Sequence, residues 1–124
     1  MAATFLVIGL GRFGTSLALR LMDNGSEVMV LDSDEELVSR IAPQVTQAKV
    51  GDCMDEEVLR SLDPASFDFS FVCISHSFQA SMETTSLLKE LGAPMVVAKA
   101  DRDIHARLLL KIGADEVVFP ERDM

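Results

Sequence analysis

The sequence predicts an α/β fold, a doubly wound sheet of six parallel strands in the order 3-2-1-4-5-6 with helices on both faces. Six short apolar runs lack alternation, which is typical of strands buried on both faces of a parallel sheet. Segments with helical periodicity separate these runs, and short loops join them. The first run ends in three glycines at G-x-G-x-x-G spacing, which is typical of the turn between a first strand and its helix.

The first half of the chain is predicted to contain three strands, each followed by a helix. Gly25 ends the first helix because glycine readily adopts the conformation found after a helix C-terminus, and Pro43 breaks the second. Acidic residues at 34–36 and 55–57 start the second and third helices, where they favour the positive end of the helix dipole. The predicted elements are strand 4–8, helix 12–24, strand 27–31, helix 34–42, strand 46–50 and helix 55–62.

The second half continues this alternation without a repeat, linker or low-complexity segment. Gly92 and Pro94 end the fourth helix, and Gly113 ends the fifth. The predicted elements are strand 69–74, helix 77–91, strand 95–98, helix 102–112 and strand 116–119.

The length and composition of the chain indicate a single acidic domain. A chain of 124 residues is long enough for a single buried core. Its net charge of −9 disfavours both nucleic acid and anionic lipid as partners. No apolar run reaches the roughly 18 residues that a membrane span needs, so no membrane insertion is expected. Cys53 and Cys73 are interpreted as small buried side chains of a reducing compartment, with a redox pair as the alternative.

The glycine-rich turn is the predicted anion site. Gly9 permits the tight exit from the strand, Gly11 lets a phosphate approach the bare backbone, and Gly14 allows the helix to pack closely on the strand. The N–H groups of residues 11–14 then lie unpaired at the start of a helix, where they bind phosphate. This is the phosphate-binding turn of Rossmann-like folds, although a glycine triplet alone also occurs in ordinary tight turns.

Acidic residues end the next two strands and are candidates for binding a nucleoside. Asp32 ends the second strand, where its carboxylate can accept hydrogen bonds from both ribose hydroxyls. With Asp34 it would repel a 2′-phosphate, which disfavours NADP. The alternative is that Asp32 only caps the helix that begins at about residue 34. Asp52 follows the third strand, where it either accepts a hydrogen bond from the adenine amine or lies in an exposed loop.

Two cations favour a ligand with a terminal phosphate chain. Arg12 lies inside the turn, where its guanidinium can bind terminal phosphate oxygens, and Lys99 follows the fifth strand on the same rim. The two bridged phosphates of NAD need fewer cations, because a helix N-terminus accommodates them. Arg12 and Lys99 therefore favour ATP or ADP over NAD or NADH, with ordinary salt bridges as the alternative for each.

The residues that contact the ligand are expected to follow strands, because parallel strands end at one edge of the sheet. Ser75 and His76 are expected to contact phosphate, and neither His76 nor His105 has a partner at metal-ligand spacing. Glu121 follows the sixth strand and is either a ligand-side acid or a solvated chain end. No catalytic residue is predicted. The candidate cofactor-binding residues are Gly9, Leu10, Gly11, Arg12, Phe13, Gly14, Asp32, Ser33, Asp52, Cys53, Ile74, Ser75, His76 and Lys99.

Taken together, these segments resemble the RCK domain (TrkA-N family), the cytosolic regulator of potassium channels and transporters of the TrkA and KtrA types, with the KtrA type most similar. The resemblance covers the whole chain. It is carried by Gly9-Leu-Gly-Arg-Phe-Gly, Asp32, Gly51-Asp52, Gln79-Ala-Ser-x₄-Ser-Leu-Leu-Lys-Glu-Leu, Val97-Ala-Lys-Ala, Lys111-Ile-Gly-Ala-Asp-Glu-Val and Phe119-Pro-Glu-Arg-Asp-Met.

The resemblance assigns a role to each part of the site. It implies that the glycine-rich turn with Arg12 holds the phosphates and that Asp32 holds the ribose. Asp52 and Cys53 would flank the adenine. It further implies that Lys99 assists the phosphates and that a divalent cation binds at Glu121, near the nucleotide.

The resemblance also implies a regulatory role without enzymatic activity. Such domains sense ATP and ADP, and they form homodimers within a ring that is expected to be octameric. From the cytoplasmic side the ring gates a membrane potassium subunit of the KtrB or TrkH kind. Residues 1–124 would be the RCK N-terminal lobe, with the C-terminal lobe absent from this chain. Two alternatives stay open: an NAD(H)-binding regulator of the TrkA type, and the cofactor domain of an NAD-dependent oxidoreductase.

Overall fold

Six strands and five helices alternate along the chain in a computed structural model that describes residues 2–121. The strands are β1 Thr4–Ile8, β2 Glu27–Asp32, β3 Gln47–Val50, β4 Phe69–Val72, β5 Val96–Lys99 and β6 Glu116–Val118. The helices are α1 Arg12–Asp23, α2 Glu35–Ile41, α3 Glu56–Leu62, α4 Phe78–Glu90 and α5 Asp103–Lys111.

The strand order is β3-β2-β1-β4-β5-β6 and every pair is parallel, which confirms the doubly wound topology expected from the sequence. β1 and β4 are direct neighbours in the middle of the sheet, with Ile8 opposite Val72. The chain leaves β1 toward one edge of the sheet and leaves β4 toward the other edge. A crevice therefore opens between the carboxyl ends of these two strands, the usual ligand position in such sheets.

Two apolar cores cover the two faces of the sheet. α1 and α2 pack on one face, and α3, α4 and α5 pack on the other. Residues at alternate positions of each strand contribute to opposite cores, so both faces are apolar, as the runs without alternation indicated. The first core includes Val7, Ala18, Val28, Val30 and Ile41, and the second includes Leu6, Ile8, Leu59, Leu88 and Leu109.

The ends of the elements lie within two residues of the predicted ends. Asp34, Asp55 and Ser77 are the N-cap residues of α2, α3 and α4, and their side chains accept hydrogen bonds from backbone N–H groups of the first turns. Pro43 does not simply break α2, because it lies in a short 3₁₀ turn that extends the helix. Among residues 2–121, none of the helices combines the length and apolar character needed to cross a membrane.

The largest boundary difference is at β4, which ends at Val72 and not at residue 74. Cys73 and Ile74 lie beyond the strand but are both buried. The Cys73 N–H still donates a hydrogen bond to the Ile8 carbonyl of β1 at 2.7 Å. The apolar character of both residues reflects their burial beside the crevice.

Asp115 joins the start of β6 to β5 and to α4. Its carboxylate accepts hydrogen bonds from the Val96 N–H and from the Lys89 ammonium, each at 2.8 Å. Because Asp115→Ala leaves the buried Val96 N–H without this acceptor, we expect the free energy of unfolding to fall by about 1–3 kcal/mol at neutral pH. Urea denaturation measures this loss, with Glu116→Ala, the exposed neighbouring carboxylate, as the control.

The effect of Asp115 has a defined pH dependence. The hydrogen bond from Lys89, followed by that from Val96, lowers the pKa of Asp115 in the folded protein. The stabilisation is therefore fully present above the pKa of an unfolded aspartate and is lost as the pH falls through the lower folded-state pKa. We expect the difference between wild type and Asp115→Ala to shrink in acid, and a difference that grows in acid would contradict this assignment.

Candidate functional site

Three cavities that share lining residues form a crevice along the carboxyl ends of the strands. A cavity of about 320 Å³ on the β3 side shares Gly9, Asp32 and Ile74 with a central cavity of about 300 Å³. The central cavity shares Gly11 and Ser75 with a cavity of about 680 Å³ on the β5 side. We call these the β3-side, central and β5-side cavities. Together they bring every candidate cofactor-binding residue except Gly14, as well as Glu121, to the crevice.

The three glycines of the turn have different steric requirements. Gly9 has a φ of +100°, and a Cβ there would lie 2.7 Å from the Cys73 carbonyl oxygen. A Cβ on Gly14 would lie 1.9 Å from the Gly9 carbonyl oxygen, so α1 packs directly on the turn. By contrast, the nearest atom to a Cβ on Gly11 would be the Ser75 Oγ at 3.4 Å, an ordinary contact. The fold requires Gly9 and Gly14, whereas residue 11 tolerates a side chain. Gly11 lines both the central and the β5-side cavity, and this open space beside it is available to a ligand.

Hydrogen bonds from β2 and α1 fix the conformation of the turn. The Gly9 N–H donates to the Leu31 carbonyl at 2.9 Å, and the Thr15 hydroxyl donates to the Leu10 carbonyl at 3.0 Å. Gly11 is the N-cap of α1 and provides no side chain to cap it. The N–H groups of the first helical turn are therefore available to an anion, and the helix dipole favours one at this position.

Asp32 links the turn to the start of the α2 segment. Its Oδ2 accepts a hydrogen bond from the Leu10 N–H at 2.6 Å, and its Oδ1 accepts one from the Asp34 N–H at 2.8 Å. The N-cap of α2 is Asp34, so the alternative in which Asp32 only caps this helix is wrong. Each carboxylate oxygen can accept a further hydrogen bond, because one backbone donor occupies only one of its acceptor positions. Asp32 lines both the β3-side and the central cavity.

The β3-side cavity contains the residues expected near adenine. Asp52 is exposed, and its Oδ1 accepts a hydrogen bond from the Met54 N–H at 2.9 Å. Cys53 is half-buried, and its carbonyl accepts a hydrogen bond from the Thr84 hydroxyl at 3.1 Å. Burial raises the pKa of the Cys53 thiol, which is therefore a neutral part of the wall and not a thiolate. Cys53 and Cys73 both have free thiols in this structure.

The β5-side cavity brings the two predicted cations and the predicted acid together. Arg12, Lys99 and Glu121 all line it. Arg12 is exposed and forms no ion pair within residues 2–121. The Lys99 side chain is only 7% exposed, and its ammonium lies 3.2 Å from the Asp101 carboxylate. The salt bridge considered for Lys99 is therefore present, but it is buried on the lysine side and lies against the crevice.

The two histidines occupy different environments. His76 is exposed and lines both the β3-side and the central cavity, beside Ser75. The His105 ring stacks on Phe78 with a centroid distance of 3.8 Å. Within residues 2–121, no three His, Cys, Asp or Glu side chains are grouped closely enough to hold a metal ion.

Some lining residues were not identified from the sequence. Met54 and Ser16 carry no motif signal, and Cys73 was assigned to the interior of a longer strand. Pro120 follows β6 and lay within the range of expected contacts, but it was not singled out. The lining residues added by the structure include Ile8, Ser16, Leu31, Leu37, Met54, Cys73, Ala80 and Pro120.

The uncapped α1 N-terminus, the open space at Gly11 and the crevice along three strand ends define a Rossmann-like domain of the nucleotide-binding class. The family model of the TrkA-N domain matches residues 5–120, and the chain belongs to this family. This match confirms the resemblance that the motifs indicated.

Curated relatives match over nearly the whole chain. Ktr system potassium uptake protein C of Bacillus subtilis is 48% identical over 124 residues, which are 100% of this chain and 56% of that protein. Ktr system potassium uptake protein A of Vibrio alginolyticus is 42% identical over 120 residues, which are 97% of this chain and 54% of that protein. The chain thus spans about half the length of these relatives.

Solved structures share the fold at low sequence identity. The TrkA-N domain of the Escherichia coli inner membrane protein ybaL has a TM-score of 0.84 at 21% identity, covering 98% of this chain and 89% of that one. GsuK bound to ADP has a TM-score of 0.84 at 18% identity, covering 99% and 32%. The GsuK channel bound to NAD has a TM-score of 0.83 at 18% identity, covering 95% and 21%.

Proposed function

We propose that residues 1–124 are the nucleotide-sensing N-terminal lobe of a regulatory subunit of a potassium uptake system. The observation that carries this proposal is the uncapped N-terminus of α1 above the open space at Gly11. The names of the Ktr relatives support the connection to potassium uptake. They also favour a regulatory role over an enzymatic one, in particular over the cofactor domain of an oxidoreductase.

We propose ATP and ADP as the ligands. Adenine would lie in the β3-side cavity near Asp52 and Cys53, the ribose at Asp32, and the first phosphates at the α1 N-terminus. The terminal phosphates would then point toward the β5-side cavity, where Arg12 and Lys99 supply positive charge. This order follows the crevice from β3 across the switch point to β5.

NAD or NADH is the second candidate, and the length of the crevice favours it. The β5-side cavity of about 680 Å³ has room for a second nucleoside beyond the diphosphate. GsuK is described bound to NAD in one structure and to ADP in another, which supports both ligand classes for this fold.

Titration calorimetry with ATP, ADP, NAD and NADH separates these candidates. We expect ATP and ADP to bind more tightly than NAD or NADH, because their terminal phosphates reach Arg12. Tight binding of NADH without binding of ATP would replace the first candidate with the second. Failure of all four ligands to bind would contradict the nucleotide-sensing function itself.

Arg12 is proposed to distinguish ATP from ADP. Its exposed guanidinium forms no ion pair within residues 2–121, so it can bind the γ-phosphate. We expect Arg12→Ala to weaken ATP binding by about 10- to 100-fold, the size of a lost charge-assisted hydrogen bond, and ADP binding by less. Arg20→Ala, an exposed arginine two turns further along α1, is the matched control. Equal losses for ATP and ADP would remove Arg12 from the γ-phosphate role.

We propose that a divalent cation binds at Glu121 only together with the nucleotide. Glu121 is a single exposed carboxylate on the β5-side cavity, which by itself is too few ligands for Mg²⁺ or Ca²⁺. Phosphate oxygens and water would supply the remaining ligands, and a second subunit could share the ion.

We further propose that this lobe acts within a homodimeric unit of a ring, expected to be octameric, beside a membrane subunit of the KtrB or TrkH kind in the cytoplasm. Ile104 and Leu108, one turn apart on the same face of α5, are 39% and 36% exposed, and these apolar side chains are suited to contact with another subunit. Gating requires that ATP and ADP favour different ring conformations, because only a difference in affinity can shift a conformational equilibrium.

A further inference from the structure

Lys99 lies between two cavities. On one side it lines the β5-side cavity with Arg12. On the other side it lines a cavity of about 130 Å³ that also contacts Asp101 and His105, which we call the α5-side cavity. Lys99 thus borders both the cavity of the proposed phosphate position and the cavity at the start of α5.

A buried ammonium needs a compensating charge, and Asp101 provides it. The Lys99 side chain is 7% exposed, whereas that of Asp101 is 55% exposed, on the loop between β5 and α5. Their charged atoms are 3.2 Å apart, and this is the only ion pair of Lys99 within residues 2–121. The Lys99 ammonium therefore forms its ion pair on the α5 side, and not at the turn that is proposed to hold the phosphates.

Glu121 and Cys73 share the β5-side cavity with Lys99, and Glu121 forms no ion pair with it within residues 2–121. Cys73 lines the β5-side cavity, but burial raises the pKa of its thiol to about 12, with Lys99 opposing that rise. The thiol is therefore neutral at physiological pH. Asp101 and an incoming phosphate are the two anions between which Lys99 would be exchanged.

We propose that Asp101 is a built-in competitor for the phosphate chain: it holds Lys99 away from the ligand until a phosphate takes its place. The inference rests on the proposed function of the crevice and adds a positioning residue that acts through Lys99. Because a ligand must first release this ion pair, Asp101 lowers the apparent affinity for every phosphate chain that recruits Lys99. Release of the Lys99–Asp101 ion pair would also couple ligand binding in the crevice to the loop that leads into α5.

Removing the competitor is expected to tighten binding. When the binding-competent arrangement is only fractionally populated, the apparent dissociation constant equals the intrinsic one divided by that fraction. If Lys99 is paired with Asp101 about nine-tenths of the time, Asp101→Asn tightens ATP binding about tenfold. Asparagine keeps the size of the side chain and removes only its charge.

The test is a cycle of four proteins titrated with ATP: wild type, Asp101→Asn, Lys99→Met and the double variant. We expect the tenfold gain of Asp101→Asn in the wild-type background and less than a twofold change in the Lys99→Met background. Equal affinities for wild type and Asp101→Asn would overturn the inference. So would an equal gain in both backgrounds, since that indicates a general effect of charge. Thermal unfolding checks that each variant folds, and Lys99→Gln replaces Lys99→Met if the latter does not.

A second titration separates this inference from the proposed function. If wild type binds none of the nucleotides, the proposed function fails, and the same four proteins are titrated with tripolyphosphate. A gain for Asp101→Asn that needs Lys99 would then still support the competition. Absence of tripolyphosphate binding in both wild type and Asp101→Asn would overturn it.

Discussion

The Gly11→Asp variant is expected to lose ATP and ADP affinity by more than about 100-fold while it folds as stably as the wild type. Residue 11 is the N-cap of α1, with a φ of −70° and a ψ of −166° that any residue can adopt. Aspartate is a preferred N-cap residue, and its carboxylate would accept the first-turn N–H bonds, changing stability by only a few tenths of a kcal/mol relative to glycine. The same carboxylate would occupy and repel the proposed phosphate position.

Calorimetric titration and urea denaturation measure the two halves of this expectation. Gly11→Asn is the matched control, because it fills the same space and caps the helix without a negative charge. We expect it to lose less affinity than Gly11→Asp. Retained nucleotide affinity in a folded Gly11→Asp protein would place the phosphates elsewhere.

The Gly14→Ala variant is expected to lose about 3 kcal/mol or more of unfolding free energy. A Cβ at residue 14 would lie 1.9 Å from the Gly9 carbonyl oxygen and 3.0 Å from its carbon. These are backbone atoms of a turn held by hydrogen bonds, so α1 must move away from β1 to make room. Overpacking of this kind lies at the upper end of the usual range for point substitutions.

Gly25→Ala is the matched control for Gly14→Ala. Gly25 has a φ of +83°, but within residues 2–121 a Cβ there has no neighbour within 4 Å beyond the adjoining residues of the chain. Gly25→Ala is therefore expected to lower the free energy of unfolding by about 1–2 kcal/mol, the cost of the left-handed conformation alone. Similar losses for the two variants in urea denaturation would show that close helix packing at Gly14 contributes little.

The strand order could be predicted because its causes are local in the sequence. Runs such as residues 4–8 have no polar face, which requires a sheet covered on both sides, and short connections then restrict the order. The roles of Gly9 and Gly14 also follow from local geometry. Both glycines lie within one turn, so their spacing alone determines which atoms approach each other.

The electrostatics of the site could not be read from the sequence in the same way. That Lys99 ends a strand was predictable, but its burial depends on the packing of α4 and α5. Asp32 was expected either to bind the ribose or to cap the following helix, and its hydrogen bond from the Leu10 N–H of the glycine-rich turn was not foreseen. The end of β4 was placed two residues too late, because burial of Cys73 and Ile74 gives them the same apolar signal as a strand.

The central claim is that main-chain N–H groups at the start of α1 bind the phosphates of a nucleotide. It is tested most directly by following the backbone amide resonances of the ¹⁵N-labelled protein during titration with ADP. We expect the amides of Gly11, Arg12, Phe13 and Gly14 to show the largest shifts, at the same affinity that calorimetry measures. Unchanged positions of these four amides at saturating ADP, with or without shifts elsewhere, would contradict the claim.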